Sequence, residues 1–186
     1  MSKKLTLKFW VVASMVALAA LSRFLPHPPN FTPITGMALF GAAYFAKKYW
    51  AFIIPFVALW LSSLVLDNIV LAHYYDGFQW FSQPWVFVGL VLITLLGTRL
   101  LKKVSFENVI GTSLLSSAIF FLVTNFGVWQ MDAFGMYAND FSGLLACYLA
   151  GLPYFLNTVA GDLFYCGVLF GGYEFAKQQM PKLQIL

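Results

Sequence analysis

Six long apolar runs follow one another along the chain, at about residues 8–25, 34–46, 50–71, 85–101, 108–126 and 153–173, with short polar stretches between them. A helix needs roughly 20 predominantly apolar residues to cross the hydrocarbon core of a bilayer, range about 17–25. The second run falls short of that length. Charged residues fill 10% of the 186 positions, against about a quarter in soluble domains. Charges this sparse cannot cover a water-facing surface, so an ordinary soluble protein is excluded. The expected fold class is all-α integral membrane, a six-transmembrane-helix bundle formed by residues 1–186 as one domain.

Three segments need individual readings. The N-terminal "MSKKLTLKFWVVASMVALAALSR" has the basic start, apolar run and small residues of a signal peptide; it is read here as the first transmembrane helix. The second run begins just after Pro33, a residue suited to the first turn of a helix. It spans only by borrowing loop residues or by lying in protein rather than lipid. A seventh run, "GLLACYLAG" at 143–151, is too short to cross and reads as a short re-entrant or interfacial helix.

The basic residues set the orientation. Lys3, Lys4 and Lys8 precede the first span, Lys47 and Lys48 follow the second, Arg99, Lys102 and Lys103 close the fourth, and Lys177 and Lys182 follow the sixth. With six spans all of these fall on one side, and Arg23 alone falls on the other. The positive-inside rule then makes both termini cytoplasmic. The net charge of +4 is a topology signal of this kind, and no nucleic-acid partner is expected.

The opposite face carries the loops 23–34, 72–84 and 127–152. They hold His27, Asn30, Thr32, His73, Asp76, Gln79, Gln83, Gln130, Asp132, Asn139 and Asp140, interleaved with Tyr74, Tyr75, Trp80, Trp85, Trp129, Tyr137 and Tyr148. Part of this set is an interfacial aromatic belt. Aromatic walls with a few placed polar groups also describe a small-molecule site, which the loop asymmetry places on the outer face. In "RFLPHPPNFTPITG" (23–36), prolines fix the backbone and make a stiff loop, fit to hold His27, Asn30 and Thr32 over a pocket mouth. Arg23 faces either an anionic ligand group or lipid headgroups.

Polar residues within the spans are functional candidates by default. Asp67 and Asn68 sit late in the third, Thr124 and Asn125 end the fifth, and Asn157, Thr158 and Asp162 lie in the sixth. Asp162 reads either as a latch between helices or as the floor of a water-filled pocket. The hydroxyl stripe Ser113, Ser117 and Thr124 suits close helix packing. Ala13, Ala17 and Ala20 share one face of the first helix, for packing within the bundle or for docking another membrane subunit.

HExxH, GxSxG, P-loop and GxGxxG patterns are absent, and no enzymatic activity is expected. "AGDLF" at 160–164 is a weak echo of intramembrane aspartyl proteases, with Asp67 as the only plausible second aspartate. Cys147 and Cys166 form no metal-ligand spacing and read as small hydrophobes in the bundle.

Three stretches together, "PHPPNFTPITGMALFGAAYF" (26–45), "VTNFGVW" (123–129) and "LPYFLNTVAGDLFYCGVLFGG" (152–172), resemble the substrate-binding S-components of energy-coupling-factor (ECF) vitamin transporters, and within them the BtuM-like cobalamin transporters of Gram-negative bacteria. The resemblance implies a six-helix S-component-like fold in the bacterial inner (cytoplasmic) membrane, with a vitamin site on the periplasmic face. It implies cobalamin as the transported ligand and no intrinsic cofactor. The ligand-binding candidates are then His27, Asn30, Thr32, Asp67, Asn68, His73, Tyr74, Tyr75, Trp80, Asn125, Trp129, Asn157 and Asp162. Ala13 and Ala17 match the AxxxA face by which S-components dock a coupling subunit.

BtuM-like proteins can ligate cobalt through a cysteine after the third helix. Here that region reads "LDNIVLAHYYDGFQWF", without cysteine, so His73 or His27 becomes the candidate axial ligand. Two further readings stand beside cobalamin uptake: transport of another vitamin or precursor, and a non-transporting structural subunit of a membrane complex.

Overall fold

The Thr6 hydroxyl accepts a hydrogen bond from the Phe9 amide at 3.3 Å and so opens the first helix. That helix, α1, runs Leu7–Leu21 in the computed structural model, which describes residues 6–132, 135–180 and 183. A single 3-10 turn, Ser22–Phe24, extends it until Pro26 stops the helix. The other helices are α2 (Ile34–Tyr44), α3 (Lys48–Val65, continued by a π turn over Leu66–Val70), α4 (Pro84–Leu100), α5 (Phe106–Met131) and α6 (Phe141–Gln179). No strand occurs among the described residues. The chain is an all-α bundle. Leu7–Phe24, Lys48–Val70, Phe106–Met131 and Phe141–Gln179 are long and apolar enough to cross a membrane, while α2 and α4 are apolar but shorter.

The shortness of α2 has a packing reason. It is the central helix, in contact with all five others, and Met37, Ala38, Leu39 and Phe40 are fully buried. Its neighbours, not lipid, surround it, so it needs no apolar length to match a bilayer. Close approach is essential, because apolar side chains gain nothing from leaving lipid for protein and packing must hold the helices together. At Gly97 of α4 a Cβ would lie 2.8 Å from that of Ala42 on α2. On another face of α2, Phe40 and Tyr44 meet Phe170 and Tyr173, with the Tyr44 and Tyr173 rings 4.2 Å apart. Leu18, Leu61, Leu122, Leu156 and Val168 on the surrounding helices stay exposed, as a lipid-facing surface requires.

The two ends of the bundle differ as the charge pattern predicts. Phe9 packs on Phe45 and Trp50, and the Tyr44 hydroxyl donates to Glu174, which also pairs with Lys177 at 2.8 Å. The start of α1, the α2–α3 junction and the end of α6 therefore share one end, with Lys47, Lys48 and Lys177. Lys3, Lys4 and Lys182 lie outside the described residues. Arg23, the exception, sits at the opposite end, bonded to Ser62 and Ser63 late in α3.

The segment 143–151 is corrected by the structure. It is neither re-entrant nor a separate interfacial helix; it is the first part of α6, which continues through Pro153. The Cys147 thiol donates to the Asn125 carbonyl and the Tyr148 hydroxyl to that of Leu122 at 2.8 Å, which ties this part of α6 along the end of α5. At a rise of about 1.5 Å per residue α6 exceeds a hydrocarbon core of about 30 Å, so part of it stands clear of that core. Because the segment is continuous with the rest of α6, it forms no helix of its own.

Asp140 caps α6: its Oδ1 accepts from the Gly143 amide at 2.8 Å and from the Ser142 hydroxyl at 2.7 Å. Accepting the Gly143 bond, then the Ser142 bond, holds this carboxyl below the usual carboxylate range. The cap is fully effective above that range and fades as pH falls through the lowered value. Hydrogen exchange at the Gly143 amide, corrected for its intrinsic rate, should quicken on acidification, and Asp140→Asn should abolish that pH dependence.

Candidate functional site

Where the loop ends of α1 to α5 diverge they enclose a cavity of about 490 Å³, within the range of about 300–1,000 Å³ for small-molecule sites. Ile34, Leu66, Val86, Phe87 and Phe120 supply apolar wall. Arg23, Asp67, His27, Asn30, Thr32, Ser63, Ser82, Gln83, Thr124 and Asn125 supply polar groups. Polar groups converging on an apolar hollow are the chemistry that orients a ligand. Five of the residues expected to bind ligand, His27, Asn30, Thr32, Asp67 and Asn125, thus line one cavity.

Arg23 enters it from the turn after α1. One guanidinium nitrogen, Nη1, donates to the Ser62 and Ser63 hydroxyls and, at 3.3 Å, to the Leu59 carbonyl, all on α3. No hydrogen bond to a described residue uses Nε or Nη2. Asp67, 7% exposed, is fixed from the other side: its Oδ2 accepts from the Ser82 hydroxyl at 2.6 Å. Its Oδ1 makes no hydrogen bond with a described residue. Arg23 and Asp67 act on each other electrostatically, yet they form no ion pair. The α3 residues were legible in part, since Ser63 precedes Asp67 by four positions and shares its face. Ser82 gave no signal, because only the folded loop brings it to Asp67.

The proline loop closes one side of the cavity. Asn30 holds φ at +64°, a left-handed conformation that asparagine tolerates better than most residues. The loop is seated on α6 by three contacts. Asn157 Nδ2 donates to the Pro29 carbonyl at 3.0 Å. Phe31 packs on Phe164 and Tyr165. At Gly161 the loop backbone comes so near that a Cβ would lie 3.0 Å from Phe31 Cα and Thr32 N. Asn157 therefore anchors the loop instead of lining the cavity. His27 is exposed on the rim, with Nδ1 3.0 Å from the Pro28 carbonyl.

The remaining candidates lie elsewhere. Asn68 spends its amide on the backbone, donating to Leu64 and Gln79 carbonyls and accepting from the Gln79 amide at 2.7 Å, which staples the α3–α4 loop. His73, Tyr74, Tyr75 and Trp80 do not line the cavity. His73 is exposed beside the Tyr74 ring, and Trp80 packs on Phe78. Trp129 donates its indole hydrogen to the Ala138 carbonyl at 3.0 Å, bridging the α5–α6 loop. No cluster of three or more metal-ligating side chains occurs among the described residues.

Asp162 is 2% exposed and sits below the cavity, not on its wall. Its Oδ2 is 2.6 Å from Ser117 Oγ on α5, and the Thr35 hydroxyl of α2 reaches the same carboxyl. Ser117 and Thr35 neighbour the cavity-lining Phe120 and Ile34 by one turn and one residue. The geometry is that of a latch joining α2, α5 and α6 beneath the site.

A second cleft, of about 830 Å³, lies at the lysine end between the start of α5 and the end of α6. It is mostly apolar, and its Tyr44, Glu174 and Lys177 side chains bond one another, which leaves little to orient a polar ligand. On α1, Ala17 is exposed and Ala13 is partly buried against the core.

No curated protein and no solved structure matches this chain. Residues 3–183 match a family model described as a family of unknown function, DUF6580, and the chain belongs to that family.

Proposed function

We propose that this membrane protein binds a vitamin-sized solute in the loop-end cavity and carries it into the cell, in the manner of an S-component. The cavity is the observation that supports this reading: it is closed by a stiff loop, walled by apolar groups and lined by ten polar residues, two of them charged. The positive-inside count puts its mouth on the periplasmic side of the inner membrane, with both termini in the cytoplasm. Six crossings follow if α4 spans with the help of its flanks and α2 spans inside the protein. The exposed Ala17 beside Ala13 is the surface available to an ECF-type coupling subunit.

The size of the cavity bears on the ligand. A corrinoid would extend beyond a cavity of about 490 Å³, and His27, which lines it while His73 does not, would be the candidate cobalt ligand. A compact vitamin or precursor fits entirely, and is the ligand favoured here.

Mass spectrometry of small molecules released from the purified protein tests the reading. A single solute should be recovered, and Thr124→Trp, which fills the cavity, should weaken its binding by about tenfold or more, or 1.4 kcal/mol. Thermal stability should be kept. A corrin absorption band shifted by His27→Ala would assign cobalamin instead. Empty protein that always co-purifies with fixed membrane partners would replace transport with the structural-subunit reading.

A further inference from the structure

We infer that the ligand is an amino-acid-type zwitterion with an apolar body, its carboxylate held by Arg23 and its nitrogen held by Asp67. This rests on the reading of the loop-end cavity as a ligand site.

The cavity wall carries one charge of each sign, and each is fixed by its own supports. Ser62, Ser63 and the Leu59 carbonyl position Arg23 through Nη1 alone. The guanidinium keeps its other edge for a planar acceptor, the geometry in which arginine takes a carboxylate in two parallel bonds. Ser82 positions Asp67 through Oδ2 alone, and Oδ1 is left to accept from a cationic N–H.

Opposite charges in an apolar setting normally close on each other, since an unpaired buried charge is costly. Arg23 and Asp67 line the same cavity without doing so. Their supports explain why: the Arg23 head is drawn to α3 and the Asp67 carboxylate to the α3–α4 loop. A molecule with both signs, spaced to bridge the gap, neutralises both charges at once. A simple anion would leave Asp67 uncompensated and a simple cation would leave Arg23 uncompensated. Phe87, Phe120, Val86 and Leu66 in the same wall offer the remainder of the ligand an apolar, partly aromatic surface.

The experiment uses the full-length protein in detergent and reads affinity by calorimetry and thermal shift. The probes are the large apolar L-amino acids, from L-leucine to L-phenylalanine, each with its N-acetyl derivative and its methyl ester, together with 3-phenylpropionate. At least one free amino acid should bind, and blocking either charge should weaken it by about 30-fold or more, the loss expected when one partner of a desolvated charge pair is removed. Asp67→Asn should reverse the order for the aromatic pair, so that 3-phenylpropionate binds better than L-phenylalanine. This variant conserves shape and the contact with Ser82, and so keeps the test open if Arg23→Gln does not fold. Equal binding of a zwitterion and its singly charged derivative overturns the inference, as does absence of binding by every free amino acid. If either occurs while a solute is still recovered from the protein and displaced by Thr124→Trp, the ligand class is wrong but the transport site stands.

Discussion

Asp162→Ala is expected to destabilise the bundle by about 2–4 kcal/mol, through lost hydrogen bonds to a buried polar group and the space left behind. The carboxyl reaches Ser117 on α5 and Thr35 on α2 from its own place on α6, so one truncation loosens three helices. Asp162→Asn should cost about 1 kcal/mol or less. Its amide can donate to Ser117 Oγ, which in turn reaches the Ser113 carbonyl at 3.0 Å. Thermal unfolding in detergent separates the two variants. Wild-type stability in Asp162→Ala would remove the latch. Affinity for the recovered solute should change little in Asp162→Asn, since the side chain does not line the cavity; a large loss of affinity at unchanged stability would restore Asp162 to the binding surface.

Gly161→Val should act on the site itself. The backbone of Phe31 and Thr32 lies where the new side chain must go, and backbone cannot step aside as the end of a flexible side chain can. Overpacking of this kind costs about 1–3 kcal/mol. The loop that carries His27, Asn30 and Thr32 would lift from α6 and widen the cavity mouth. Ligand affinity should therefore fall by about tenfold or more, an energetic loss of 1.4 kcal/mol. Asn157→Ala, which removes one hydrogen bond to the Pro29 carbonyl, should do the same more weakly. If Gly161→Val bound ligand as the wild type does, the seated loop would have no part in holding it.

Much of this arrangement was legible before folding was considered. Run lengths placed α1 to α5 to within about five residues but missed the start of α6, which begins at Phe141 and not near 153, and alternation of the basic residues paired their ends. The proline loop was recognisable as rigid because proline restricts its own backbone whatever surrounds it. The candidate site was legible only as a region. His27, Asn30, Thr32, Asp67 and Asn125 reached the cavity, while Asn68, Trp129 and Asn157 turned out to hold loops. Asparagine and tryptophan side chains carry the same donors whether they serve a ligand or a backbone carbonyl, so composition could not separate the two uses.

The sequence by itself determined a helical membrane protein with its lysines at one end and its polar loops at the other. Hydrophobic length and charge placement act locally and along the chain, so they survive without knowledge of contacts. Tertiary structure alone decided that α2 is sheathed by protein, that 143–151 belongs to α6, and that Arg23 and Asp67 face one cavity unpaired. Those outcomes depend on which helices touch and on which hydroxyl captures which charge. Ser62 and Ser63 capture Arg23 from 39 and 40 residues away and Ser82 captures Asp67 from 15, through contacts that only the packed bundle creates.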